Sequence, residues 1–136
     1  MMAAARLTGS VFAASLLAWG SSVWADNGGA SMMGPTGFAE QNGEQLYRMI
    51  CQGCHMADAK GAEGAGRYPA LVSNPHLAGA AYVMHVVLKG QKGMPGFADN
   101  LSDQQISDVV NYVRSHFGNH YSGAVTPAEV QAARGK

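Results

Sequence analysis

Apolar residues recur at helical spacing in three stretches of the chain. In the first, Gly43, Leu46, Tyr47 and Ile50 fall at i, i+3, i+4 and i+7, so they share one face of a helix expected to begin at Phe38 or Glu40. In the second, from about Gly79 to Lys89, Val83, Met84, Val87 and Leu88 form an inner stripe and Gly90 supplies the stop. In the third, Ile106, Val109, Val110, Val113 and Phe117 line one face, Ser102 and Gln105 match a capping box, and Gly118 follows as a terminator. Near the end, Thr126, Pro127 and Glu129 offer an N-cap, a proline at the first helical position and a capping-box acid. They predict a short helix from Pro127 to about Arg134, with three fates open to it: clasping its own domain, docking on a partner or fraying. No stretch alternates with period two, so strands are not expected. The expectation is an all-helical fold with two large loops. The loop over residues 57–78 carries Gly61, Gly64, Gly66, Pro69 and Pro75, and a second covers Gly90 to Phe97. Long loops in a compact domain need a reason, and wrapping a ligand is one.

The N-terminus carries a different pattern. Arg6, the short apolar run Val11 to Trp19 and the sequence Val23 to Ala25, with a β-branched residue and a small one where a signal peptidase reads, make a secretory signal peptide over residues 1–25. The run is too short to cross a bilayer comfortably. Residues 26–39 read as a flexible leader, rich in Gly and Ser, residues 40–118 as the folded domain and residues 119–136 as an extension. No later segment is apolar enough to span a membrane, so the mature chain is expected in the periplasm with no membrane span. Nine Lys and Arg balance nine Asp and Glu, with no basic stripe. Nucleic acid and anionic membranes are therefore poor candidates as partners.

The only two cysteines lie in "CQGCH", Cys51 to His55. A bridge between them would close a tiny loop and constrain the unfolded chain little. C-x-x-C-H is an attachment sequence for c-type haem. Two thiols add across two vinyl groups, a spacing of three puts both sulfurs on one side of a helical turn, and His55 supplies the iron's proximal nitrogen. Two rivals are weaker. Zinc in a structural site wants four ligands, and one C-x-x-C with one His gives three. A redox dithiol of this spacing belongs in a βαβ pattern, which is lacking.

Haem iron then needs a sixth ligand or keeps an open face. Met94, in "GMP" between Gly93 and Pro95, sits in a loop with a flexible residue on one side and a stiff one on the other. Of the other methionines, Met1 and Met2 go with the signal, Met32 and Met33 lie in the leader, Met49 and Met56 flank the anchor, and Met84 belongs to a helix stripe. His76, His85, His116 and His120 are the bis-histidine alternatives, with His85 read as a helix-surface residue and the last two as exposed. An open sixth position would instead suit a gas-binding or peroxide-reacting protein.

These motifs, "CQGCH", "YPAL", "GQKGMPGF" and the last amphipathic helix, occur in the order found in the class I cytochrome c family, which the chain resembles over about Glu40 to Gly118. The resemblance implies three main helices wrapped around one covalently attached haem c, with His55 and Met94 as axial ligands. It implies a small-against-aromatic crossing of the first and last family helices at Gly43 and Tyr112. It also implies that the Pro69 carbonyl accepts a hydrogen bond from His55. Arg67 has two readings, a partner for a haem propionate or an exposed loop arginine. The chain is further similar to small cytochrome subunits of periplasmic dehydrogenases. That implies a non-enzymatic electron carrier, with a flavin, quinone or molybdenum dehydrogenase as donor and a downstream oxidase or cytochrome as acceptor.

Overall fold

The computed structural model describes residues 42–136 apart from residue 65, together with the backbone of residues 33–34 and 37–38. The signal peptide expected over residues 1–25 lies outside the described residues, as does most of the leader. Within the leader, β1 (Met33–Gly34) pairs antiparallel with β2 (Gly37–Phe38). The first helix therefore begins later than its periodicity suggested. Asn42 is its N-cap: its side chain accepts from the Gln45 N–H, and the Gln45 side chain accepts from the Asn42 N–H. That reciprocal pair satisfies two end donors and holds Asn42 extended, so the helix starts at Gly43.

The first helix is continuous but not uniform. It runs as α1 (Gly43–Leu46), a π-turn (Tyr47–Cys51) and α2 (Gln52–His55). The following loop is pinched by β3 (Ala62–Glu63) and β4 (Arg67–Tyr68), which pair antiparallel, Ala62 with Tyr68 and Glu63 with Arg67. These two-residue ladders correct the expectation of a strand-free chain. Each is too short for alternation to register as a pattern. A 3₁₀ turn over Pro75–Ala78 then leads through Gly79 into α3 (Ala80–Lys89). Last come α4 (Asp103–Ser115), entered through the Ser102–Gln105 capping box, and α5 (Pro127–Arg134), entered through the Thr126–Glu129 box.

α4 is the hub. It packs against α1, α3 and α5, and its buried face is Ile106, Val109, Val110 and Val113. Each such side chain withdrawn from water contributes about 1.5–3 kcal/mol. The helix stops at Ser115, short of Gly118, because His116 turns extended and Phe117 adopts φ 57°. Phe117 thereby leaves the helical face and packs on Tyr47, with ring centroids 4.8 Å apart.

Residues 119–136 pack into the same unit. Asn111 of α4 grips Val125 at both its N–H and its carbonyl, at 2.8 and 2.9 Å, and Val130 of α5 is fully buried. Arg114, also on α4, is buried with its guanidinium spread over four carbonyls, those of Leu77, Ala78, Ser122 and Gly123. Asn119 ties the loop after α4 to Asn74, Leu71 and Val113. Thus the terminal segment and the 70–78 segment are fastened to the same helix.

α1 crosses α4 with no room for a side chain at Gly43, where a Cβ would lie 2.7 Å from the Cβ of Tyr112. Gly43→Ala should therefore destabilise the protein by about 1–3 kcal/mol, the usual cost of overpacking, despite the better helix propensity of alanine. Urea unfolding measures this, and an unchanged midpoint would mean the crossing relaxes freely.

Candidate functional site

The C-x-x-C-H residues straddle the junction of the π-turn and α2. The Gln52 N–H donates to the Tyr47 carbonyl, the wide i→i+5 closure of a π-turn. One extra residue in that turn rotates everything after it relative to the Gly43–Leu46 face. π-turns of this kind cluster at functional sites. Cys51 ends up half-buried against the core and Cys54 exposed, and the two are not bridged to each other. Burial, aided by the nearby Cys54, pushes the Cys51 thiol up to about 12. Without modification it stays a neutral thiol at physiological pH.

His55 closes α2 and is buried. Its Nδ1 lies 2.9 Å from the Pro69 carbonyl. A carbonyl can only accept, so Nδ1 carries the proton and Nε2 keeps its lone pair. Nε2 has no hydrogen-bond partner among the described residues. Two features bring Pro69 there. The β3–β4 hairpin folds the chain back so that residue 69 returns beside residue 61. Gly61, at φ 68°, donates its N–H to the His55 carbonyl, and a Cβ on it would lie 2.8 Å from the Pro69 carbonyl carbon. A side chain there would wedge Pro69 away from the imidazole. Gly61 is visible in the sequence only as one of several loop glycines.

Tyr47 was legible only as part of an apolar face, yet it also works on the site. It is almost fully buried, and its hydroxyl donates to the Met56 carbonyl at 2.7 Å. Met56 is where the chain leaves α2 at φ 65°. The phenol thus fixes the turn immediately after His55. The signal that could have found it is a hydroxyl on an otherwise apolar helical stripe, since a buried tyrosine needs a partner.

Met94 sits on a separate, tightly folded loop after α3. Gln91 and Met94 exchange backbone bonds at 3.0 and 2.9 Å, and the Phe97 N–H donates to the Val87 carbonyl at 2.9 Å. The side chain is half-buried. The close backbone approach in this loop occurs at Gly96, which lies against the carbonyl of Leu88, while Gly93, the flexible neighbour of Met94, faces open space. Arg67 is exposed and pairs with Glu63 at 3.2 Å. His76, His85, His116 and His120 are all exposed.

The donor set fits a covalently held haem: two unbridged thiols three residues apart, then an imidazole with one nitrogen locked and the other free. A small helical domain with such a turn and a separate methionine loop has the make-up of a c-type cytochrome domain. The chain belongs to the cytochrome c family: residues 38–113 match the family described as cytochrome c oxidase, cbb3-type, subunit III. It is 32% identical over 118 residues to the cytochrome c subunit of a quinone alcohol dehydrogenase from Gluconacetobacter polyoxogenes, covering 77% of this chain and 25% of that one. It is 32% identical over 109 residues to the fructose dehydrogenase cytochrome subunit of Gluconobacter japonicus, covering 69% and 22%. It is also 35% identical over 77 residues to cytochrome c6 of Bumilleriopsis filiformis, covering 55% and 88%. The chain thus spans about a quarter of the dehydrogenase subunits and most of the small cytochrome. Its family makes it an electron-transfer protein that uses haem c, and no helix among the described residues is long and apolar enough to cross a membrane.

Burial and then the neighbouring Cys51 push the Tyr47 phenol up to about 12 from an ordinary 10.0. Below pH 10 the phenol is protonated whether folded or not. Between pH 10 and 12 the unfolded chain loses that proton while the folded one keeps it, so stability falls across this window. Tyr47→Phe should flatten that fall. Urea midpoints of both proteins from pH 9 to pH 12 measure it, and parallel curves would show that Tyr47 does not carry the effect.

Proposed function

We propose that this chain is a periplasmic carrier of single electrons with one covalently attached haem c, taking electrons from a dehydrogenase and passing them to a downstream oxidase or cytochrome. The observation that carries this reading is the His55 imidazole, held through Nδ1 on the Pro69 carbonyl with Nε2 left free, one residue after a pair of unbridged thiols. A single C-x-x-C-H in the sequence supports a single haem. One C-x-x-C with one His gives three ligands, one short of the four a structural zinc takes.

Haem c, when bound, supplies a one-electron iron couple whose potential the axial ligands tune. Cys51 and Cys54 would hold it through thioether bonds, which suits a half-buried thiol and an exposed one on the same turn. His55 Nε2 would ligate the iron. The Pro69 carbonyl fixes the ring's tautomer and orientation and raises the basicity of the ligating nitrogen. Met94 would supply the iron's second protein ligand, a thioether presented by a loop pinned to the end of α3. An iron held by both His55 and Met94 would favour electron transfer over gas binding or peroxide reduction. The pair with Glu63 favours the exposed reading of Arg67 over a propionate contact. A dehydrogenase donor of flavin, quinone or molybdenum type is supported by relatives named as subunits of quinone alcohol, fructose and gluconate dehydrogenases. The periplasm is supported by the signal pattern of residues 1–25 and by the extracytoplasmic chemistry of haem attachment.

Intact mass of the exported protein should exceed that of the processed polypeptide by one haem, and Cys51→Ala with Cys54→Ala should abolish the increment. Met94→Ala should keep the haem, lose the weak ferric band near the red end of the spectrum, and allow the reduced protein to bind carbon monoxide. A polypeptide of unmodified mass would sink the reading. A Met94→Ala protein that still refuses carbon monoxide would remove the methionine from it.

A further inference from the structure

The loop that carries Met94 is fastened by a residue far away in the chain. Arg134 is the last residue of α5, in the extension that follows the family match. Its guanidinium donates to the carbonyls of Ala98 and Leu101 and to the Asp103 carboxylate. Those three acceptors lie on the outgoing stem of the methionine loop and at the first residue of α4. The carbonyl of the same Arg134 accepts from Lys89 Nζ at 3.1 Å, and Lys89 is the last residue of α3, where the loop departs. One residue therefore touches both stems of the 90–98 loop. Its ion pair with Asp103 is about three-quarters shielded from solvent on both sides. That makes it worth more than a pair in open water, and a hydrogen bond that carries charge is stronger than a neutral one.

The rest of α5 keeps Arg134 in place. Val130 is buried, the helix packs on α3 and α4, and the Thr126–Glu129 box with Asn111 on Val125 fixes its start. Without the guanidinium, the outgoing stem would keep the backbone bonds from Phe97 to Val87 and from Ala98 to Leu88, the latter long at 3.3 Å.

We propose that Arg134 is a positioning residue for the sixth ligand: the C-terminal helix staples both stems of the methionine loop and so sets how often Met94 lets go of the iron. This rests on the reading of Met94 as an axial ligand. Any external ligand must wait for the loop to open, so binding of imidazole to the ferric protein reads the opening directly. Losing three charge-assisted contacts, one of them to a carboxylate, should raise the opening equilibrium by about tenfold or more.

The experiment uses the haem-loaded full chain. Wild type, Arg134→Ala, Met94→Ala and the helix-crossing variant Gly43→Ala are titrated with imidazole and followed at the main ferric absorption band of the haem, and their urea midpoints are measured alongside. Gly43 lies where α1 crosses α4, against Asp108 and Tyr112, so its variant lowers stability from another part of the fold. The expected result is that Arg134→Ala binds imidazole at least tenfold more tightly and faster than wild type. Gly43→Ala should show wild-type imidazole binding even where its urea midpoint drops as far. Equal imidazole binding by Arg134→Ala and wild type, or an increase matched by Gly43→Ala, overturns the proposal. Met94→Ala reports on the underlying assignment separately: if it binds imidazole no better than wild type, the ligand reading itself has failed.

Discussion

The hydrogen bond from the His55 imidazole to the Pro69 carbonyl is the constraint around which the site is arranged. It is a bond between the end of a helix and a loop fourteen residues on, so the chain between them must return to a fixed place. The hairpin of β3 and β4 makes the return, and Gly61 admits the carbonyl. Tyr47 holds the exit from α2 from the other side. Each of these would be an ordinary loop detail in a protein that asked nothing of its histidine. Together they leave one imidazole nitrogen with its proton committed and the other with its lone pair exposed, which is the state a metal ligand requires.

The same logic runs through the second half of the chain, at larger scale. α4 is a spine to which three separate segments are tied: α1 by a close helix crossing, the 70–78 segment by Arg114 and Asn119, and the extension by Asn111 and Val130. Apolar burial supplies most of the stability, as it must in a domain of this size. The polar ties decide where loops stop. That division explains why a chain of average hydrophobicity can hold two long loops in definite positions.

The parts of this architecture set by local pattern were legible in the sequence. Ser102 with Gln105 and Thr126 with Glu129 announce helix starts, because a cap is a three-residue event. The stripe from Ile106 to Val113 announces a buried face for the same reason. The C-x-x-C-H turn carries its chemistry within five residues, and the family resemblance read from it agrees with the comparisons. The start of α1 at Gly43 is set by the Asn42–Gln45 box, a signal as local as the other two caps that the apolar pattern before it masks. The π-turn leaves the composition of a helix unchanged and so leaves no mark. The roles of Gly61 and Tyr47 depend on how the chain turns between them and partners eight and nine residues on, which no residue pattern states, and Arg134 meets its partners only because the extension folds back on the methionine loop.

The buried guanidinium of Arg114 bears on how this module can be cut or transplanted. It finds two of its four acceptors before α4 and two after it, at Ser122 and Gly123. A polypeptide ended at the last family helix would lose half the oxygens that hold this cation together with the segment that covers it, and open a buried polar centre of the domain to water. The eighteen residues that look like an appendix are therefore part of the indivisible unit, and any graft of this domain into a longer chain has to bring them along or replace the arginine first.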